Sequence, residues 1–127
     1  VLITKDIAGE LTSYLASHKY DRTYILTDTN TRNACLPLLQ PVQTLRQAEV
    51  ITIEAGDTHK NIEQVARIWT ILSQSGASRH SLLINLGGGM VTDLGGFAGA
   101  TFKRGLHTLN IPDRKSTRLN SSHGRRS

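Results

Sequence analysis

Three consecutive glycines, Gly87-Gly88-Gly89, follow the apolar run Ser81-Leu82-Leu83-Ile84-Asn85-Leu86. The run reads as a buried strand. The glycines end it without placing a single side chain between the backbone and whatever lies above the strand. A helix-like segment follows, with Asp93 one turn in. Backbone N–H groups approach a phosphate most closely where Cβ atoms are absent, and a helix N-terminus favours an anion. A strand–glycine turn–helix unit of this kind belongs to an α/β fold and suits a phosphate-bearing cofactor.

The rest of the chain alternates in the same way. Asp6 to Lys19 carries Ile7, Leu11, Tyr14, Leu15 and His18 at helical spacing, with Asp6 as its cap. Arg22 to Thr27 is β-branched and aromatic and predicts a strand. Thr31 to Leu39 predicts a short helix broken by Pro37. Ala48 to Ile53 predicts a second strand. Lys60 to Ser75 has Ile62, Val65, Ala66, Trp69 and Leu72 on one stripe, with Gly76 as the stop. His107 to Ile111 begins another strand. Strands alternating with helices predict a Rossmann-like parallel sheet with helices on both faces. Ligands of such sheets bind beyond the carboxyl ends of the strands. Three turns meet that edge: Asp28-Thr29-Asn30, Gly56 to Lys60, and Gly87-Gly88-Gly89.

Charge excludes less than it first suggests. The formal net charge is +5. Residues 1–112 hold ten Lys and Arg against nine Asp and Glu, a net of +1. Residues 113–127 hold five against one, a net of +4. The excess sits in one polar tail, so no nucleic-acid partner is expected. One cysteine, Cys35, leaves no internal disulfide and fits a reducing, cytoplasmic setting. No run approaches the roughly 20 apolar residues of a membrane helix, and no membrane partner is expected. The first residues have no signal-peptide layout and no initiating Met, so the native start is expected upstream. His18, His59, His80 and His107 are scattered and give no metal-ligand spacing.

Several residues at the strand ends have two readings. Asp28 could accept hydrogen bonds from a ribose diol or cap the next helix. Lys60 could meet a phosphate or stand in solvent. Asp93 could face the cofactor cleft or compensate the helix dipole. Gly95, Gly96 and Gly99 read as packing glycines that let their helix lie close on the sheet. Arg104, at the far end of that helix, could hold an anion through its planar fork or serve the dipole.

The nineteen residues from Gly87 to Gly105 resemble the glycine-rich signature of the 3-dehydroquinate synthase family, with Met90 in place of a Val and Thr92 in place of a Gly. Leu26 to Asn30, Gly56 to Asn61 and Asn110-Ile111-Pro112 are similar to further elements of that family, in order. Asp57 stands where the family usually has Glu. The resemblance implies a lyase of the shikimate pathway. It converts 3-deoxy-D-arabino-heptulosonate 7-phosphate to 3-dehydroquinate and phosphate, with catalytic NAD and zinc or another divalent metal. It implies NAD contacts at Asp28, Asn30, Asp57, Lys60, Gly87, Gly88, Gly89 and Asp93, and catalytic roles for Asp93 and Arg104 toward a phosphorylated sugar acid. It implies a homodimer, and a metal site in a helical domain beyond this stretch. A sister sugar-phosphate cyclase, or a polyol dehydrogenase with the same nucleotide domain, is the alternative.

Residues 1–112 are thus expected to be an incomplete NAD-binding domain. Residues 113–127 have almost no apolar side chains and are expected to be a disordered tail that packs against nothing. Asp113 to His123 resembles the translation of a common sequencing adapter, which makes the tail non-native on this reading. A real disordered basic tail is the other possibility.

Overall fold

A computed structural model describes residues 7–39, 42, 45, 47–54, 61–102, 105–112 and 120–123. The described elements are α1 (Ile7–Ser17), β1 (Thr23–Asp28), α2 (Thr29–Cys35), β2 (Glu49–Ile53), α3 (Asn61–Gln74), β3 (Leu82–Gly87), α4 (Gly89–Thr101), β4 (His107–Pro112) and β5 (Asn120–His123). A 3-10 turn, Leu36–Leu39, follows α2. Pro37 lies inside that turn, where its missing N–H cannot continue the α-helical ladder.

The sheet order is β2-β1-β3-β4-β5. The first four strands are mutually parallel, as the alternation predicts. The chain moves outward from β1 to β2 and then crosses back over β1 to β3. The order therefore reverses between β1 and β3, and the crevice at such a reversal is where open α/β sheets bind ligands.

Both faces are covered. Tyr24, Leu26, Ile51, Ile53 and Leu83 pack with Val65, Ile68 and Leu72 of α3 and with Val91, Leu94 and Ala98 of α4. On the opposite face Ile25, Leu82, Ile84, Leu86, Leu109 and Ile111 pack with Leu11 of α1, Leu39, Val42 and Leu45. All six residues of β3 are buried, as befits a central strand covered on both sides.

The structure differs from the sequence reading at three places. The buried stripe of α3 is Val65, Ile68 and Leu72, whereas Ile62, Ala66 and Trp69 face outward. Trp69 instead lies across to α4, donating its indole N–H to the Thr101 hydroxyl at 3.0 Å and the Ala98 carbonyl at 3.3 Å. Gly95 and Gly99 are packing glycines, but a Cβ at Gly96 would meet nothing within 4 Å. Asn120–His123, within the segment expected to pack against nothing, pairs antiparallel with β4. An edge strand presents unpaired N–H and C=O groups, and main-chain pairing satisfies them whatever the side chains are.

Gly76 stops α3 as expected, with φ at +86°. The Ala77 N–H reaches back to the Leu72 carbonyl at 2.9 Å, closing the last turn.

At the amino-terminal edge of the sheet, Asp21 ties the entries of β1 and β3 together. Its carboxylate accepts from the Ser78 hydroxyl and from the Ser81 hydroxyl at 2.5 Å. Burial pushes this carboxyl up, but the two hydroxyls, the Arg22 backbone N–H and His80 together hold it below the ordinary carboxylate range. A depressed folded-state value means stability that is present above the unfolded pKa, about 3.9. That stability is lost as pH falls through the folded value. Asp21→Asn is expected to lower the melting temperature at pH 7 and to leave it nearly unchanged at pH 2. Thermal melts at the two pH values check this, and an equal loss at both would contradict it.

Candidate functional site

The carboxyl ends of β1 and β3 are neighbours, since Thr27 and Leu86 are register partners and Asp28 and Gly87 are the next residues. Gly87 also pairs with Pro112 at the end of β4. Gly87 has φ at +155°, a conformation that other residues rarely adopt. A Cβ there would lie 2.9 Å from the Val91 side chain and 3.5 Å from the Thr31 hydroxyl. The turn is therefore wedged between the start of α2 and the first turn of α4, and Gly87 has both a conformational and a steric reason to be glycine.

Gly88 is the N-cap of α4 and supplies no side-chain hydrogen bond. The Thr92 N–H makes a backbone bond of this helix start, to the Gly88 carbonyl at 3.0 Å, and the Thr92 hydroxyl meets the same carbonyl at 3.1 Å. The N–H groups of Gly89, Met90 and Val91 precede that bond and have no carbonyl one turn back inside the helix. Gly89 is exposed, and a Cβ on it would meet nothing within 4 Å. The site thus combines amide donors without a partner inside the helix, the positive end of a 13-residue helix and open space at Gly89. An anionic group fits these properties, and the pyrophosphate of a dinucleotide is such a group.

Asp28 ends β1 and caps α2: its Oδ1 accepts the Thr31 N–H at 2.7 Å. The capping reading of Asp28 is therefore what this bond shows. The cap engages one carboxylate oxygen and fixes the side chain at the crevice. Asn30 stands exposed in the first turn of α2. Asp93 is exposed and follows Gly89 by one helical turn, so the two share the open side of α4. Asp57, Lys60 and Arg104 lie outside the described residues. The structure therefore brings Asp28, Asn30, Gly87, Gly88 and Gly89 to one edge of the sheet, with Asp93 one turn along the exposed side of α4.

Sequence reasoning missed a groove beside them. A cavity of about 600 Å³ is lined by Thr29, Thr52, Ile53, Glu54, Glu63, Gln64 and Arg67. Arg67 donates to the Thr52 carbonyl at 2.6 Å and braces the end of β2 against α3. The signal was weak, because Glu54 and Arg67 read as ordinary surface charges until strand order sets β2 beside β1. Among the described residues no group of three or more His, Cys, Asp or Glu could hold a metal ion. No helix among them is long and apolar enough to cross a membrane.

Residues 50–127, more than half of the chain, match the family model described as 3-dehydroquinate synthase N-terminal. The chain belongs to the 3-dehydroquinate synthase family. A 3-dehydroquinate synthase from Parabacteroides distasonis is 55% identical over 112 residues, which cover 88% of this chain and 32% of that protein. The chain thus spans about a third of the length of the curated relatives it matches. Among solved structures, 2-deoxy-scyllo-inosose synthase superposes with a TM-score of 0.70 at 18% identity, over 84% of this chain and 30% of that one. A 2-epi-5-epi-valiolone synthase from Streptomyces hygroscopicus, solved with NAD+ and Zn2+ bound, gives 0.69 at 21% identity over 87% of this chain and 31% of that one. At these identities the structures show a shared fold. The family match runs through residue 127, across the segment that resembles adapter sequence.

Proposed function

We propose that this chain is the NAD-binding part of a 3-dehydroquinate synthase, carried chiefly by residues 1–112. The observation that carries the reading is the start of α4: a helix N-terminus at Gly88 with no side-chain cap, and open space at Gly89, at the point where the strand order reverses. Gly87, Gly88 and Gly89 hold the pyrophosphate through the backbone. Asp28, fixed by its cap to α2, offers its remaining carboxylate oxygen to a ribose hydroxyl, and Asn30 stands beside it. The groove from Thr29 to Arg67 takes the adenosine side. Asp93 points along the open side of α4 toward the nicotinamide end. We assign Asp57 and Lys60 to the cofactor and Arg104 to the anionic groups of the substrate on family resemblance alone.

Bound there, NAD would supply a reversible hydride acceptor for the substrate alcohol. The substrate of the whole enzyme would be 3-deoxy-D-arabino-heptulosonate 7-phosphate, and a divalent metal would supply Lewis-acid polarisation of its oxygens. The chemistry is divided between the cofactor site described here and a metal site elsewhere in the full-length protein, which acts as a homodimer in the cytoplasm.

The test is calorimetric titration of the purified chain with NAD+, alongside a phosphate-release assay with the heptulosonate phosphate and added Zn2+. Saturable NAD+ binding without phosphate release is the expected result. Absence of binding at millimolar NAD+ would defeat the cofactor assignment. Phosphate release above the protein-free blank would defeat the division of labour.

A further inference from the structure

Asn85 is a buried polar residue in the core between α4 and the sheet. It is fully buried on β3, on the same face as Leu83 and two residues before the glycine turn. Its Nδ2 donates to Asn110 Oδ1 on the neighbouring strand at 2.9 Å. Asn85 and Asn110 are register partners, each two residues from the end of its strand. Asn85 Oδ1 is buried without a hydrogen-bond partner among the described residues. An orphaned buried acceptor forfeits its hydration and gains nothing in return, which costs stability. The Nδ2 bond to Asn110 offsets part of that cost.

The amide fits into a notch in α4. A Cβ at Gly95 would lie 1.9 Å from Asn85 Oδ1, 2.4 Å from its Cγ and 2.8 Å from its Nδ2. One turn further, a Cβ at Gly99 would lie 2.6 Å from the Thr108 methyl on β4. The helix is thus keyed twice, to β3 through Asn85 and Gly95 and to β4 through Thr108 and Gly99. The residues flanking these notches, Leu94 and Ala98, are buried and carry side chains. A one-residue screw shift of the helix that brought Leu94 to the position of Gly95 would drive a Cβ into the amide.

We propose that Asn85 is a positioning residue: its carboxamide, seated under Gly95 and tied to Asn110, fixes where α4 lies along β3 and β4. It thereby fixes where the amides of Gly89, Met90 and Val91 stand above the strand ends. This inference rests on the reading of those amides as the cofactor cradle. Hydrogen bonds to an anion weaken steeply with misalignment, so a small axial shift costs affinity without unfolding the domain.

The experiment compares the full chain with Asn85→Leu, Asn85→Ala, Gly95→Ala and the double variant Asn85→Ala with Gly95→Ala. Melting temperature, NAD+ affinity and the NMR amide shifts of Gly89, Met90 and Val91 are read for each. Asn85→Leu is expected to melt at or above the parent and to bind NAD+ at least tenfold more weakly, with the three amide shifts moved. Should the larger side chain fail to fold, Asn85→Ala is read by the same affinity and shift criteria. Gly95→Ala is expected to melt far below the parent, and adding Asn85→Ala is expected to restore most of that loss. NAD+ binding within twofold of the parent in the folded Asn85 variant would overturn the proposal, as would failure of Asn85→Ala to rescue Gly95→Ala. A parent that binds no NAD+ would defeat the cofactor reading separately. The amide shifts then decide: displaced resonances uphold the positioning role and unmoved ones overturn it.

Discussion

Gly89→Val is expected to abolish NAD+ binding while leaving the fold intact. The two halves of this result come from one geometric fact. Beyond its chain neighbours and its own helix backbone, a Cβ on Gly89 would meet nothing within 4 Å among the described residues, so a side chain there starts into open space. Gly89 is also the first residue of α4, where replacing glycine removes an entropic cost of up to about 1 kcal/mol. That space is where an anion must approach to reach the N–H groups of Gly89, Met90 and Val91 at hydrogen-bond distance, about 2.9 Å. Losing charge-assisted bonds to the pyrophosphate costs about 1.5–3 kcal/mol each, so the affinity should fall by two orders of magnitude or more. Calorimetry on the parent and Gly89→Val, with circular dichroism to verify folding, measures both halves. NAD+ binding at parental affinity by a folded Gly89→Val would show that the turn is only a turn.

The second expected result contrasts two glycines three residues apart on α4. Gly99→Ala should destabilise the domain by about 1–3 kcal/mol, because the new methyl would sit 2.6 Å from the Thr108 side chain in a buried seam. Gly96→Ala should stabilise it by up to about 1 kcal/mol, because its Cβ meets nothing and the helix gains a better former. The sequence treats the two alike. Chemical denaturation at 25 °C with the slope held common separates them. Equal shifts of the midpoint in the same direction would mean that α4 is not seated on β4 as described. NAD+ affinity should be unchanged in Gly96→Ala, which makes it the matched control for Gly89→Val.

The sequence by itself determined the parallel strands and the helix stops. Leu82, Leu83, Ile84 and Leu86 put apolar side chains on both faces of one short run, as a strand covered on both sides requires. Gly76 and Pro37 act through the local backbone, so their effects needed no tertiary context. The three glycines and Asp28 marked the carboxyl ends of β3 and β1 because strand ends carry turn residues. The family match covers residues 50–127, which include the glycine turn.

Only the tertiary structure decided which side of each helix is buried and which glycines are spacers. On α3 the apolar residues cover more than one stripe, and the sheet selected Val65, Ile68 and Leu72 while α4 took the Trp69 indole. Gly95, Gly96 and Gly99 are identical in sequence terms, and their difference lies wholly in what stands opposite: an Asn85 amide, empty space and a Thr108 methyl. The pairing of Asn120–His123 with β4 was equally invisible, because main-chain hydrogen bonding at an open edge leaves no mark in side-chain composition. Periodicity reports a single chain's local preference. Strand order and helix seating are set by contacts between segments far apart in sequence, and no local pattern encodes them.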